Sequence, residues 1–368
     1  MRTPAAIMEQ RGGAWRIDDL EVAAPGPGEV QVRVVASGIC QTDVHARDGF
    51  FESLPWPAVY GHEGAGVVVA VGPGVTGLRE GDPVIMASPS CGECTECRAG
   101  YECYCLHSQR LKQSGRRIDG TLAFERAGVP LCGSFFQQSS FATTTLATGR
   151  NTIKVPDDLP LDVLAAFPCG VNTGAGAVMN TLKPVAGDSF VVFGVGTVGC
   201  AALMAARLAG CEPIVAVDLH EPRLELAREL GASHTFDARA PELVERIRES
   251  VDGGARFALE AAGFPESLRA AIEVLGPRGT ACLVGSAAPG VEVSVEMKRI
   301  QRGRRVCGCV QGESQVQHFL PELIELYRQG QLPVDRLVRH YELADINEAV
   351  ADMLSGRTIK PVLRMPAP

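Results

Sequence analysis

No long basic run occurs in this chain, where 35 Lys and Arg are outnumbered by 43 Asp and Glu for a formal net charge of -8. The electrostatic footprint of a nucleic-acid or anionic-membrane binder is therefore missing. Arg302, Arg304 and Arg305 do cluster, but three cations predict a solvated loop beside a strand rather than a binding patch. A bilayer-spanning stretch is absent too, since the apolar runs near residues 67–71 and 189–195 are short and glycine-bounded. Met1-Arg2-Thr3-Pro4 leads into mixed polar sequence without the apolar core of an export signal, which predicts a cytoplasmic protein. Internal repeats and low-complexity linkers are lacking as well, and disorder is excluded by a hydrophobic content of 46% against 21% charged residues.

What is present fits a large globular α/β protein. At 368 residues the chain exceeds one ordinary hydrophobic core, so two domains are expected. Thirteen cysteines, an odd number in so long a chain, predict thiols and metal ligands rather than a disulfide framework.

The first 150 residues read as mainly β, with β-branched runs at residues 30–35 and 64–71 and little helical periodicity. From Gly187 the pattern becomes strand, glycine turn, helix, repeated. Strands are expected at 190–193, 214–217, 257–260 and 281–284, and helices at 197–208, 223–230 and 266–275. About six strands would form a doubly wound parallel sheet of Rossmann type. A helix at 319–329 and a strand at 362–364 are expected to return to the first domain.

Four thiols, Cys91, Cys94, Cys97 and Cys105, crowd one short loop, and four sulfurs suit a closed, structural zinc site. Cys103 competes with Cys105 for the fourth place. Gly194-Val195-Gly196-Thr197-Val198-Gly199 follows an apolar strand and opens an Ala-rich helix, and Asp218 ends the next strand. In that context the glycines let a backbone approach a pyrophosphate at a helix N-terminus. Asp218 would accept hydrogen bonds from ribose hydroxyls and repel a 2′-phosphate, favouring NAD over NADP, unless it merely caps the helix beginning near Pro222. Cys40, His62 and Cys169 are scattered, yet two cysteines and one histidine are a known set for catalytic zinc with an open fourth position.

Their contexts carry a resemblance. Gly38-Ile39-Cys40-Gln41-Thr42-Asp43-Val44-His45, Gly61-His62-Glu63-Gly64-Ala65-Gly66 and Pro168-Cys169-Gly170-Val171-Asn172-Thr173-Gly174, with the cysteine loop and the glycine turn, resemble the zinc-containing medium-chain dehydrogenase/reductase family along the whole chain. Residues 133–142 and 150–155 are most similar to its aryl-alcohol (benzyl alcohol) dehydrogenases and their geraniol-oxidising relatives. The resemblance implies a mainly-β GroES-like catalytic domain at 1–170 and 311–368, a Rossmann NAD-binding domain at 171–310, and an active site in the cleft.

By the same resemblance Cys40, His62 and Cys169 would bind catalytic zinc, with Asp43 orienting His62 and Glu63 near the metal. Thr42 would hydrogen-bond the alcohol oxygen, and a proton would pass by way of the nicotinamide ribose to His45. Thr173 and Val198 would pack about the nicotinamide, Arg223 would approach the adenosine ribose, and Lys360 the pyrophosphate. Gln41 departs from a basic residue that some relatives place beside that pyrophosphate. Phe50, Phe51, Phe135 and Phe136 fall in segments that line the substrate channel, and Ala87 stands where small-alcohol relatives carry a bulky aromatic, which implies a wide pocket.

The chemistry needs such residues. An alcohol with a pKa of about 16 must lose its proton near pH 7 before it gives up hydride, a gap of on the order of 12 kcal/mol that a metal can supply and one hydrogen bond cannot. The expected activity is thus zinc-dependent oxidation of a primary aryl or allylic alcohol to its aldehyde with NAD. Zinc-dependent aldehyde or polyol oxidation, including that of thiol adducts of formaldehyde, is the rival within the family, and a non-catalytic NAD-binding protein the rival outside it. A homodimer is expected from the resemblance and from a strand-like run at 306–310 that could pair across a twofold axis.

Overall fold

The computed structural model describes residues 1–366, which divide into two compact units. The first comprises Met1–Cys169, Gln315–Arg328 and residues 333–366, and the second Gly170–Ser314 and Gln329–Leu332. Residues 311–314, expected in the first, group with the second because Gly312 lies against the helix Asn172–Gly176. Asn172 Nδ2 donates to the Gln311 carbonyl at 3.0 Å and Asn180 Nδ2 to that of Gly312 at 2.8 Å.

The first unit holds two sheets. In one, Arg2–Met8 and Trp15–Val22 pair antiparallel and are flanked by short strands. In the other, seven-stranded, the long strand Glu29–Gly38 runs through the middle. Its alternating valines meet Gly64–Val71 along one edge, and the other edge is shared by Thr144–Thr148 and then Lys360–Arg364. One apolar core, including Val30, Val32, Val34, Tyr60, Phe135 and Phe141, lies between these layers.

The second unit is a six-stranded, all-parallel sheet in the order His234–Asp237, Ile214–Asp218, Phe190–Phe193, Ala255–Glu260, Leu275–Leu283, Arg305–Gly308. Chain order reverses between the third and fourth of these, the switch point where doubly wound sheets bind ligands. Phe190–Phe193 is buried on both faces, as a central parallel strand must be. The expected helix at 266–275 ends at Glu273, and Leu275 already begins a strand that runs through Gly276 and Pro277. The arginine cluster is only partly solvated: Arg304 is buried and donates to the carbonyls of Leu275 and Gly276. No helix among the described residues is long and apolar enough to cross a membrane.

Candidate active site and metal centres

Strand register assembles the first site. Ser37 stands opposite Gly64, so Cys40, three residues past one, and His62, two before the other, emerge at the same end of the sheet. Cys169 arrives on a π-helical segment, Phe167–Val171, a geometry that recurs at functional sites. The donor atoms of Cys40, His62, Glu63 and Cys169 all lie within 4.8 Å of one another.

Their arrangement fits a zinc ion. Two sulfurs on a tetrahedral zinc with Zn–S bonds of 2.3 Å stand about 3.8 Å apart, and Cys40 Sγ is 3.9 Å from Cys169 Sγ. Asp43 Oδ1 accepts from His62 Nδ1 at 2.9 Å, which leaves the lone pair on Nε2, a buried atom with no hydrogen-bond partner. The other Asp43 oxygen accepts from the Cys40 backbone N–H at 2.9 Å, capping the helix Gln41–Arg47. One carboxylate thus holds a ligand ring and a ligand backbone. A hydrogen bond between the two thiols pulls Cys40 well below the usual cysteine range and pushes Cys169 well above it.

Glu63 Oε2 accepts from Lys360 Nζ at 2.6 Å, and its other oxygen is buried without a partner. Burial pushes this carboxyl up to about 7 against the pull of the Lys360 ammonium. Lys360, expected near a pyrophosphate, is engaged by protein groups. Only 1% exposed, it spends its protons on Glu63 and the Ile39 carbonyl, because a buried carboxylate demands a buried cation.

The walls are aromatic. The Phe136 ring lies 4.7 Å from the His62 ring, and Phe135 meets it edge-on at 5.8 Å. Phe136, Gln137 and Ser139 all have φ near +50°, a conformation that costs side-chain-bearing residues about 1–3 kcal/mol each. Side chains from the same segment hold it: Ser139 Oγ donates to the Val59 carbonyl at 2.7 Å, Gln137 Nε2 to those of Leu111 and Arg116, and Gln138 Nε2 to that of His62. Gln138 Oε1 also accepts from Gly64 N, so it clamps the His62 turn from both sides. Sequence reasoning gave neither Gln138 nor Lys360 this role.

Other expected pocket residues are placed less directly. Phe50 stacks on His45 at 4.6 Å, and Phe51 packs against the core. Ala87 is fully enclosed, its carbonyl taken by Gln138 and Asn151. The Thr42 hydroxyl is 3.7 Å from Cys40 Sγ, and His45 follows three residues later on the same helix. Burial lowers the His45 pKa below its ordinary 6.5 and keeps the ring neutral.

The second metal group is Cys91, Cys94, Cys97 and Cys105, again with all sulfurs within 4.8 Å and with Cys91 and Cys97 at 3.8 Å. Backbone N–H groups of Glu93 and Cys94 point at Cys91 Sγ, and that of Cys91 at Cys105 Sγ. Those of Cys97 and Leu106 pull Cys94 down to about 6, stabilising a thiolate. Cys105, not Cys103, completes the four.

In the second unit Gly194 takes φ +89°, and a Cβ on Gly199 would fall 1.9 Å from the Gly194 carbonyl, so the turn closes onto its helix only as glycine. Above Gly196 a Cβ would meet nothing within 4 Å, leaving the open cradle that a dinucleotide pyrophosphate needs. Asp218, buried at the strand end, accepts from Val195 N at 2.7 Å and His220 N at 3.0 Å, with Arg223 Nη1 at 3.7 Å. It braces the glycine turn, and the helix Glu221–Leu230 has His220, not Asp218, at its cap. Thr173 is buried in Asn172–Gly176, and Val198 lies in the first turn of Thr197–Leu208.

Comparison with known proteins agrees with this architecture. Residues 26–157 match the alcohol dehydrogenase GroES-like domain, and residues 197–329 the zinc-binding dehydrogenase domain. The geraniol dehydrogenase of Castellaniella defragrans is 39% identical over 98% of this chain and 96% of its own length. An S-(hydroxymethyl)glutathione dehydrogenase of Paracoccus denitrificans is 32% identical over 99% and 100%. The crystal structure of benzyl alcohol dehydrogenase from Acinetobacter calcoaceticus superposes with a TM-score of 0.96 at 40% identity, covering all of both chains. With its two zinc-fitting donor sets and these relatives, the chain belongs to the zinc-containing medium-chain alcohol dehydrogenase family.

Proposed function

We propose that the protein oxidises a benzylic or allylic primary alcohol to its aldehyde, with NAD as hydride acceptor. The observation that carries this reading is the unpartnered His62 Nε2, set among the Cys40, Cys169 and Glu63 donors and walled by the Phe135 and Phe136 rings. Zinc held by Cys40, His62 and Cys169 would lower the pKa of an alcohol from about 16 toward 7. The remaining work belongs to side chains. Asp43 fixes the His62 ring, and Lys360 neutralises Glu63 beside the donors. Thr42 offers its hydroxyl to the alcohol oxygen, and neutral His45, on the same helix face, can take up the released proton on a ring nitrogen.

The aromatic wall favours planar unsaturated substrates through edge and offset contacts worth roughly 0.5–1.5 kcal/mol beyond area burial. The geraniol and benzyl alcohol dehydrogenases among the relatives support the same class. Gly194, Gly196, Gly199 and the helix opening at Thr197 would receive the pyrophosphate, with Thr173 and Val198 near the nicotinamide. Asp218 would favour NAD, although Arg223 beside it softens the repulsion of a 2′-phosphate. Thirteen cysteines without a disulfide among them suit a reducing, cytoplasmic setting. The outermost strand Arg305–Gly308, which bears exposed Val306 and is followed by exposed Val310, suits a homodimer.

The test is a steady-state comparison of benzyl alcohol, geraniol, ethanol and the glutathione adduct of formaldehyde, with NAD and NADP, on zinc-loaded protein. Benzyl alcohol or geraniol with NAD should have the highest kcat/KM, and Asp218→Ala should narrow the cofactor preference. Ethanol outperforming both unsaturated alcohols would overturn the substrate class. The adduct winning would move the protein to the activity named for its Paracoccus relative.

A further inference from the structure

A lysine ammonium drawn out of water costs free energy unless an acceptor takes it up. Lys154 meets Asp82 and Lys360 meets Glu63. Lys112, in the short helix Ser108–Gln113, is half-buried, yet no hydrogen bond or ion pair among the described residues occupies its ammonium. Instead Nζ rests over the Phe136 ring, 5.6 Å from its centre. Burial lowers its pKa, a sign of incomplete solvation, against the raising influence of Cys169, Cys103 and Cys105.

The backbone that carries Lys112 is held in place. Gln137 Nε2 donates to the carbonyls of Leu111 and Arg116 on either side of Lys112, and Leu111 is buried against the four-cysteine loop. The His62 ring also packs on Phe136, tilted 33° at 4.7 Å. The ring of a metal donor and the unpaired cation therefore share one aromatic neighbour, Phe136.

We infer that Lys112 is a specificity-determining residue that binds a carboxylate on the end of the substrate remote from the carbinol, so that the preferred alcohols are hydroxymethyl arenes carrying a ring carboxylate. The inference rests on the proposed aryl-alcohol reading, because it uses the same wall. A carboxylate brought to this ammonium forms charge-assisted hydrogen bonds of about 2.7–2.9 Å, while the arene lies against Phe136. An amide in its place forms weaker, neutral-acceptor bonds, and an unsubstituted ring forms none.

The experiment compares kcat/KM for para-(hydroxymethyl)benzoate, its isosteric amide and benzyl alcohol in wild type, Lys112→Met and Lys112→Arg. Wild type should favour the carboxylate over the amide by about 10- to 100-fold, through KM rather than kcat. Lys112→Met should erase that ratio, and Lys112→Arg should keep most of it. Benzyl alcohol oxidation with equal kcat/KM for carboxylate and amide would overturn the inference and leave the dehydrogenase reading intact. Direct titration of the zinc-loaded protein with para-(hydroxymethyl)benzoate needs no turnover, so it decides even if the aryl-alcohol reading fails. Binding should be at least about tenfold weaker in Lys112→Met, and equal affinity overturns the proposal. An unchanged ratio with loss of zinc from the four-cysteine loop would assign the ammonium to balancing those thiolates, and also overturns it.

Discussion

Within one unit, the four-cysteine loop draws every donor from between Cys91 and Cys105, whereas the mixed set draws on Cys40, His62, Glu63 and Cys169, with Lys360 behind them. The loop's sulfurs are met by backbone N–H groups of the loop itself. In the mixed set, His62 Nε2 and Glu63 Oε1 are left without partners, while Asp43 and Gln138, remote in sequence, fix the segment that carries them. A closed site can be made by local turns. One that retains unmet bonding capacity has to be imposed by tertiary structure, since an isolated segment would relax to satisfy those atoms.

If this contrast holds, substitutions should separate cleanly in kcat/KM. Cys169→Ser should have the largest effect, a loss of about a thousandfold or more for roughly 4 kcal/mol of lost transition-state stabilisation, with one of two zincs per chain weakened in metal analysis. Retention of near-normal turnover would dissolve the distinction between the sites. Asp43→Asn comes next at about 10- to 100-fold, measured both as kcat/KM and as faster zinc release to a chelator, because the amide no longer fixes the ring as a carboxylate does.

His45→Ala should slow turnover on the order of tenfold, less than a direct general base supplies. The sign of its pH dependence follows from burial. With its pKa below 6.5, wild-type His45 stays a neutral base as pH falls through that value. The deficit should therefore be greatest on the acid side and be relieved by added imidazole; a superimposable pH–rate profile would place His45 outside the proton path. Cys105→Ser should have the smallest effect on kcat/KM per loaded chain, yet lower Tm by roughly 6–12 °C for about 3 kcal/mol lost. A variant that kept its Tm and lost turnover would invert the contrast.

What could be read without coordinates follows the same division. The strand Gly64–Val71 and the helix Thr197–Leu208 have the bounds expected from β-branched and glycine patterning, because both signals are local. The four-cysteine site was legible from spacing, and only the choice of Cys105 over Cys103 needed the fold. At the mixed site, residue types and family contexts pointed to the ligands, but not to the Gln138 clamp or the Lys360 counter-charge. No sequence periodicity connects Glu63 with Lys360, since their meeting depends on Lys360–Arg364 pairing with Glu29–Gly38. The enclosure of Ala87 was likewise invisible, being set by side chains of Gln138 and Asn151 that reach its carbonyl.

The late position of that last strand bears on how the protein is made. On the ribosome the four-cysteine loop can take its metal soon after residue 105 emerges. The Glu63 carboxylate waits for its lysine until residue 360 is out, roughly ten to fifty seconds later at 5–20 residues per second. Through that interval the C-terminal end of Glu29–Gly38 lacks the partner it has in the finished sheet, an open edge of the kind that invites pairing between nascent chains. Synthesis rate and chaperone supply should therefore govern the yield of active centres more than the yield of metal-loaded loops.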